Sequence, residues 1–141
     1  MQIRYNIQSL KESEFKINYD YNLEDKAAVT FEFFHTEKAD SNAKVIVVEA
    51  GCSVVSVKDN TELAKNSVRA EFSIMPFDDV IKVDGITFRT PVPQLIDTFI
   101  NVTLGALRGI FSKNMLGTYL DGIVLPLIPM KVISESHKQR L

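Results

Sequence analysis

The sequence predicts an α+β fold, a four-stranded antiparallel meander sheet covered by one long C-terminal helix, in a single domain of 141 residues. Three observations predict it. Within Thr90–Met115, residues Leu95, Ile96, Phe99, Ile100, Thr103, Leu104, Leu107, Ile110, Phe111 and Met115 recur at three- and four-residue steps, so they form one broad helical stripe. Asp97, Asn101, Arg108 and Ser112 fall on or near the other side. Ahead of this helix, apolar residues alternate with polar ones in successive stretches, the period of half-buried strands. The stretches are joined by short polar connections, which favour antiparallel neighbours. About 24 helical residues span roughly 36 Å, and a strand of about 10 residues spans ~33 Å, so the helix matches the sheet in length.

Taken in order, residues 1–80 are assigned to the sheet. Ile3, Tyr5 and Ile7 share a parity that resumes at Phe15, Ile17, Tyr19 and Tyr21, with Lys11 and Ser13 breaking it between. This reads as one long bent strand with a bulge, or as two short ones. A loop follows at 22–26. Val29, Phe31, Phe33 and His35 then share one face of a second strand, and a turn is expected at 38–43. The β-branched run at 44–58 is apolar on both faces, as an inner strand requires, and Gly51 in it permits a bulge or close packing. Residues 59–66 are polar and read as a connection. Val68, Ala70, Phe72 and Ile74 alternate in a fourth strand that stops at Pro76. Asp78–Arg89 forms a bridge with a turn at Asp84–Gly85. The helix occupies 90–116, with Thr90 as cap, Pro91 or Pro93 in its first turn and Gly117 as a left-handed stop. Residues 117–133 are strongly apolar, but Gly122, Pro126 and Pro129 exclude a central strand or regular helix, so an extended segment is expected. The polar tail 134–141 is expected to fray.

Composition narrows the function. A net charge of −2 without a basic block argues against nucleic acid. Cys52 is the single cysteine, which fits a reducing cytoplasm. The N-terminal residues carry charges where a signal peptide needs an apolar core, and Arg108 argues against membrane insertion of the helix. His35 continues an apolar parity with no second ligand at metal spacing, so it reads as structural. Cys52 reads as a small core residue. Asp78 and Asp79 are adjacent and point apart in an extended chain, so they do not make a catalytic pair. No phosphate loop, nucleophile elbow or C-x-x-C is present. The chain therefore reads as a non-enzyme that needs no cofactor or metal.

Two features point to binding instead. Gly105, Ala106 and Gly109 bare a strip of helix that can meet either the chain's own sheet or another subunit, at a cost of ~1 kcal/mol per glycine relative to alanine. The apolar inventory also exceeds what one sheet and one helix need. Phe33 and Phe34 point to opposite faces of a strand, and Tyr5, Tyr19 and Tyr21 suit a partly wet surface. Such an excess is covered by another subunit or used for binding.

The C-terminal third resembles the SecB export-chaperone family. A long helix entered through prolines is followed by Gly117-Thr118-Tyr119 and an apolar stretch reaching Pro126, with proline nine residues after the glycine. Arg108-Gly109-Ile110 is similar to the SecB-like branch that includes chaperones of toxin–antitoxin systems. The motif resemblance covers about residues 91–130. It implies an ATP-independent cytoplasmic holdase, assembled as a dimer of dimers, whose apolar grooves take unfolded polypeptides such as preproteins or an antitoxin. It places client binding on Tyr19, Tyr21, Leu23, Phe31, Phe33, Phe34, Ile123, Val124, Leu125 and Leu127. Gly105, Ala106 and Gly109 are the candidate oligomer interface. SecA is the implied motor, although −2 is far from the strongly acidic charge of export members. The competing reading is a small-ligand-binding or enzymatic domain with a pocket between helix and sheet.

Overall fold

The computed structural model describes residues 2–22 and 28–138. Its elements are β1 (Arg4–Ile17), β2 (Val29–Asp40), β3 (Val45–Ser56), β4 (Glu62–Met75), the short helix α1 (Phe77–Val80), β5 (Lys82–Asp84), β6 (Thr87–Arg89), α2 (Pro93–Met115) and α3 (Met130–Lys138). The four long strands form one antiparallel sheet, and α2 lies across β3 and β4. An α+β chain with a long helix on a four-stranded sheet is thus what the sequence predicts.

The connectivity differs from a simple meander. The spatial order is β1-β4-β3-β2, so β1 pairs with β4, and only β2, β3 and β4 follow one another as hairpins. This is a Greek-key arrangement, in which one strand returns beside the far end of a three-strand meander. The reason lies in the connections. The turns after β2 and β3 are tight, whereas residues 18–28 separate β1 from β2, enough chain to cross the end of the sheet.

β1 is one continuous strand. Its register against β4 slips between Ile7 and Ser9 and again between Glu12 and Glu14. Each slip inserts a residue and inverts the face parity. Ile7, Leu10, Glu12, Phe15 and Ile17 therefore all stand opposite the helix-facing row Phe72, Ala70, Val68, Asn66 and Ala64. Two bulges explain why the apolar parity breaks and then resumes. β4 starts at Glu62, earlier than expected, because Leu63 and Ala64 are buried despite their polar neighbours. Asn66 is fully buried as well, and its amide Nδ2 donates to the Glu14 carbonyl at 2.8 Å and to Glu12 Oε2 at 3.2 Å. That satisfies a polar group that would otherwise be costly to bury.

α2 buries the expected stripe, and Phe99 stacks on Phe72 with ring centroids 4.2 Å apart. Asp97 is buried too, against the expectation that it faces solvent. The helix begins at Pro93 rather than at Thr90, and no side chain caps it. Thr90 Oγ1 instead accepts from the Val92 amide at 3.2 Å in the preceding turn. Gly117 does take the left-handed conformation beyond the helix end, at φ +78°. By length and composition α2 meets the requirements of a membrane span, but half of its most apolar window is buried inside the fold.

Two further assignments change. The bridge at 78–89 holds α1 and a hairpin turning at Gly85, whose φ is +62°. Residues 134–138 of the expected frayed tail are helical, and so are 130–133 of the expected extended segment: α3 runs from Met130 through Lys138, and Ile133 anchors it in the core at 2% exposure. The Pro129 carbonyl accepts from the amides of Val132 and Ile133, so the proline that ends the extended segment also starts the helix.

Candidate client-binding surface

The sheet has two unlike faces. Ile46, Val48, Ala50, Cys52 and Val54 of β3 are fully buried on the helix side. Across β2, the register places Ala39, Glu37, His35, Phe33, Phe31 and Val29 on that same side. The two phenylalanines in sequence therefore part company. Phe33 packs against the core, while Phe34 lies on the opposite, polar face over Gly51. A Cβ at Gly51 would stand 2.1 Å from Phe34 Cζ, so only glycine fits beneath the ring. Lys65 Nζ sits 5.2 Å above the ring as a cation–π partner.

Beyond α2 the chain turns through residues 116–122 and doubles back along an extended stretch, 123–129. It alternates sharply: Leu120, Ile123 and Leu125 are buried, whereas Val124 and Leu127 are 70% and 80% exposed. Pro126 is tied to α2 through its carbonyl, which accepts from Arg108 Nε at 3.4 Å. Tyr119 stands at one end of the segment, and its hydroxyl donates to the Asn18 carbonyl at 2.5 Å. Tyr21 is close by, sharing hydrogen bonds with Ser56 Oγ at 2.8 Å and Asp59 Oδ2 at 3.1 Å, and Tyr19 is 70% exposed. Burial raises the Tyr119 phenol above its ordinary value, with Tyr21 and Tyr19 adding to the shift, so it remains a neutral donor. Partial loss of water pushes the Asp59 carboxyl up. Hydrogen bonds from Thr61, Tyr21 and Ser56 outweigh this and hold it below the usual carboxylate range.

At the other end, an apolar recess of about 230 Å³ is lined by Phe33, Phe34, His35, Leu104, Ile128, Val132 and Ile133. His35 Nδ1 is 2.7 Å from Glu37 Oε2, a polar pair of low exposure beside the recess. The tyrosines and the recess thus mark the two ends of β2 as an accessible apolar surface, and Val124 and Leu127 stand exposed on the returning segment that runs from Tyr119 to Ile128. Among the described residues no cluster of His, Cys, Asp and Glu could hold a metal ion. Cys52 is fully buried, and burial pushes its thiol up to about 12, which leaves it unreactive.

Of the residues expected to bind clients, Tyr19, Tyr21, Phe31, Phe33, Val124 and Leu127 lie along this surface, fully or partly accessible. Ile123 and Leu125 face the core and prop the segment from beneath. Phe34 borders the recess although its ring lies over Gly51 on the other face of the sheet, and Leu23 falls outside the described residues. Sequence reasoning missed Tyr119, Leu104, Ile128 and Val132. Pro129 followed by Met130, Val132 and Ile133 held the signal for a helical wall.

Gly105 and Gly109 face away from the sheet. A Cβ at Gly109 would meet nothing within 4 Å, and one at Gly105 would meet only Arg108 Nη1 at 3.8 Å. The strip is therefore not made for contact with the chain's own strands. Val102 beside it is exposed, as are Tyr5, Ile7, Leu10 and Phe15 on the helix-facing side of β1. The centre of the interface between α2 and the sheet is filled by Phe72, Phe99, Leu107 and Phe111, and the recess beside Leu104 and Phe33 opens at its edge. A cleft of about 490 Å³ lies on the polar face, between Lys38, Glu49, Arg69 and the β5–β6 hairpin.

No protein-family model matches the chain, and no curated protein matches it. Among solved structures it is similar to the Mycobacterium tuberculosis Rv1957 SecB-like chaperone in complex with a ChAD peptide from the Rv1956 HigA1 antitoxin. The TM-score is 0.63 at 14% identity, over 89% of this chain and 88% of that one. A protein of unknown function from Streptococcus agalactiae also aligns, at TM-score 0.46 and 14% identity, over 90% of this chain and all of that one. The chain has the SecB-like fold.

Proposed function

We propose that the protein is a nucleotide-independent holdase that keeps non-native polypeptides, such as preproteins or an antitoxin, unfolded by reversible apolar binding. The observation that carries this reading is the open surface between β2 and residues 119–129. There Val124 and Leu127 stand exposed on a backbone that Ile123 and Leu125 fix to the core, and Tyr19 is exposed on the connection after β1. The SecB-like fold, shared with a chaperone whose structure holds an antitoxin peptide, supports it. β2 is an outer strand, so a client lying beside it can add main-chain hydrogen bonds that are blind to sequence. Holding of this kind needs no cofactor and no chemistry, and it belongs in the cytoplasm, with SecA as one possible recipient.

The assembly we propose is a homo-oligomer, built as a dimer of dimers. Gly105, Ala106 and Gly109 offer an α2 surface where a second helix can approach, and the bare apolar row on β1 offers another contact. Size-exclusion chromatography with light scattering, run on the protein alone and with a reduced, unfolded polypeptide, tests both parts. A multimer that shifts to a stable complex and suppresses aggregation without nucleotide is expected. A protein that never binds the unfolded chain is not a holdase.

A further inference from the structure

The two open apolar features lie a fixed distance apart along β2. At one end, the Tyr21 hydroxyl meets Ser56, which stands opposite Val29 at the start of the strand. At the other, the recess of about 230 Å³ opens beside Phe33 and His35, which follow Val29 by four and six positions. At about 3.3 Å per residue, the β2 positions beside them, Val29 at one end and Phe33 and His35 at the other, are roughly 13–20 Å apart. The recess is smaller than the ~300–1,000 Å³ of a small-molecule pocket and suits one large side chain. A strand directs alternate residues to opposite sides, so a segment extended beside β2 can offer both features only residues of one parity.

We infer that the site selects extended segments with two bulky apolar side chains four or six residues apart, one seated in the recess and one among the tyrosines. This rests on the holdase reading and sharpens it into a spacing rule. Once the first anchor is seated the second binds intramolecularly, at a high effective concentration. An odd spacing turns one anchor to the wrong side, and the segment then binds as if it had a single anchor.

Labelled peptides of about 13 residues, otherwise Ser, Thr, Asn and Gly, would carry one Phe or two Phe at separations from three to seven. Their affinities would be read by fluorescence anisotropy. Separations of four and six are expected to bind at least about tenfold more tightly than three, five or a single Phe. Val132 lines the recess and is 52% exposed, so Val132→Glu should keep the parent's thermal unfolding while reducing the evenly spaced peptides to the single-anchor level. Tyr19→Ser should do the same from the other end. Affinity that rises with the number of Phe whatever their spacing overturns the rule and leaves the holdase reading standing. Failure of every peptide, and of an unfolded protein, to bind removes both.

Discussion

The two outer strands of the sheet are finished in opposite ways. β1 keeps Tyr5, Ile7, Leu10 and Phe15 largely in the open on its helix-facing side, because α2 packs chiefly on β3 and β4 and meets β1 at points such as Tyr5 and Glu12. β2 carries an equivalent apolar row, Val29, Phe31 and Phe33, but its row is half-buried against the core that Leu125 and Ile133 complete. One edge is a long open apolar strip that a broad, matching surface can cover. The other is relief: a recess, a ring cluster and protruding side chains in between. A long open strip suits a copy of itself, and a contoured edge suits a flexible chain that must be gripped at points.

Variants can break this contrast or sharpen it. The largest effect is expected from Phe99→Ala. Phe99 stacks on Phe72 and meets the Tyr5 ring edge-on at 5.5 Å, so its loss should cost about 3–5 kcal/mol in denaturant unfolding and loosen both edges together. Gly51→Val acts on the β2 side alone. The new side chain collides with the Phe34 ring, at about 1–3 kcal/mol, and combining it with Phe34→Ala should recover much of that loss. Tyr119→Phe removes the hydrogen bond to the Asn18 carbonyl and should cost about 1 kcal/mol. Ile7→Lys with Leu10→Lys should leave protomer stability within about 0.5 kcal/mol, yet lower the mass by light scattering while client binding persists. If client binding disappears with the oligomer, the two edges are not separate surfaces.

The smallest effect concerns pH. Asp59 has its carboxyl lowered in the folded state, so the unfolded chain takes up its proton first as pH falls. Its contribution is complete above the ordinary carboxylate range and is lost as pH drops through the folded value. Asp59→Asn should therefore lower stability slightly at neutral pH and flatten the acid limb of a stability–pH curve, with variant and parent converging at low pH.

Much of the architecture could be read from residue order because it depends on local period. The α2 stripe from Leu95 to Met115 and the strand alternation at Phe31–Phe33 and Val68–Ile74 carry their own signal. What escaped depends on distant partners. Nothing in the sequence of β1 says that it pairs with β4, since pairing is decided by which partner its bulged register fits. Leu63 and Ala64 looked like part of a loop because burial, not local polarity, made them strand. Half of the candidate surface was legible as an apolar surplus, but parity alone could not say that Leu125 turns inward and Leu127 outward. That depends on how Pro126 is pinned to Arg108. α3 was missed because buried Ile133 anchors a helix whose other described side chains are at least partly exposed, so its apolar face carries little sequence signal.

The outermost strand is not free to act alone. Asn114, one residue before the end of α2, donates through its amide to Glu12 on β1 at 2.6 Å and to buried Asn66 on β4 at 3.1 Å. Peeling away the second half of β1 must therefore tear open a knot at the helix terminus, and cannot proceed as simple fraying. Amides of β1 after Glu12 and those of the last turn of α2 should trade hydrogen for deuterium at matching rates, as one cooperative unit, while the first few residues of β1 exchange sooner.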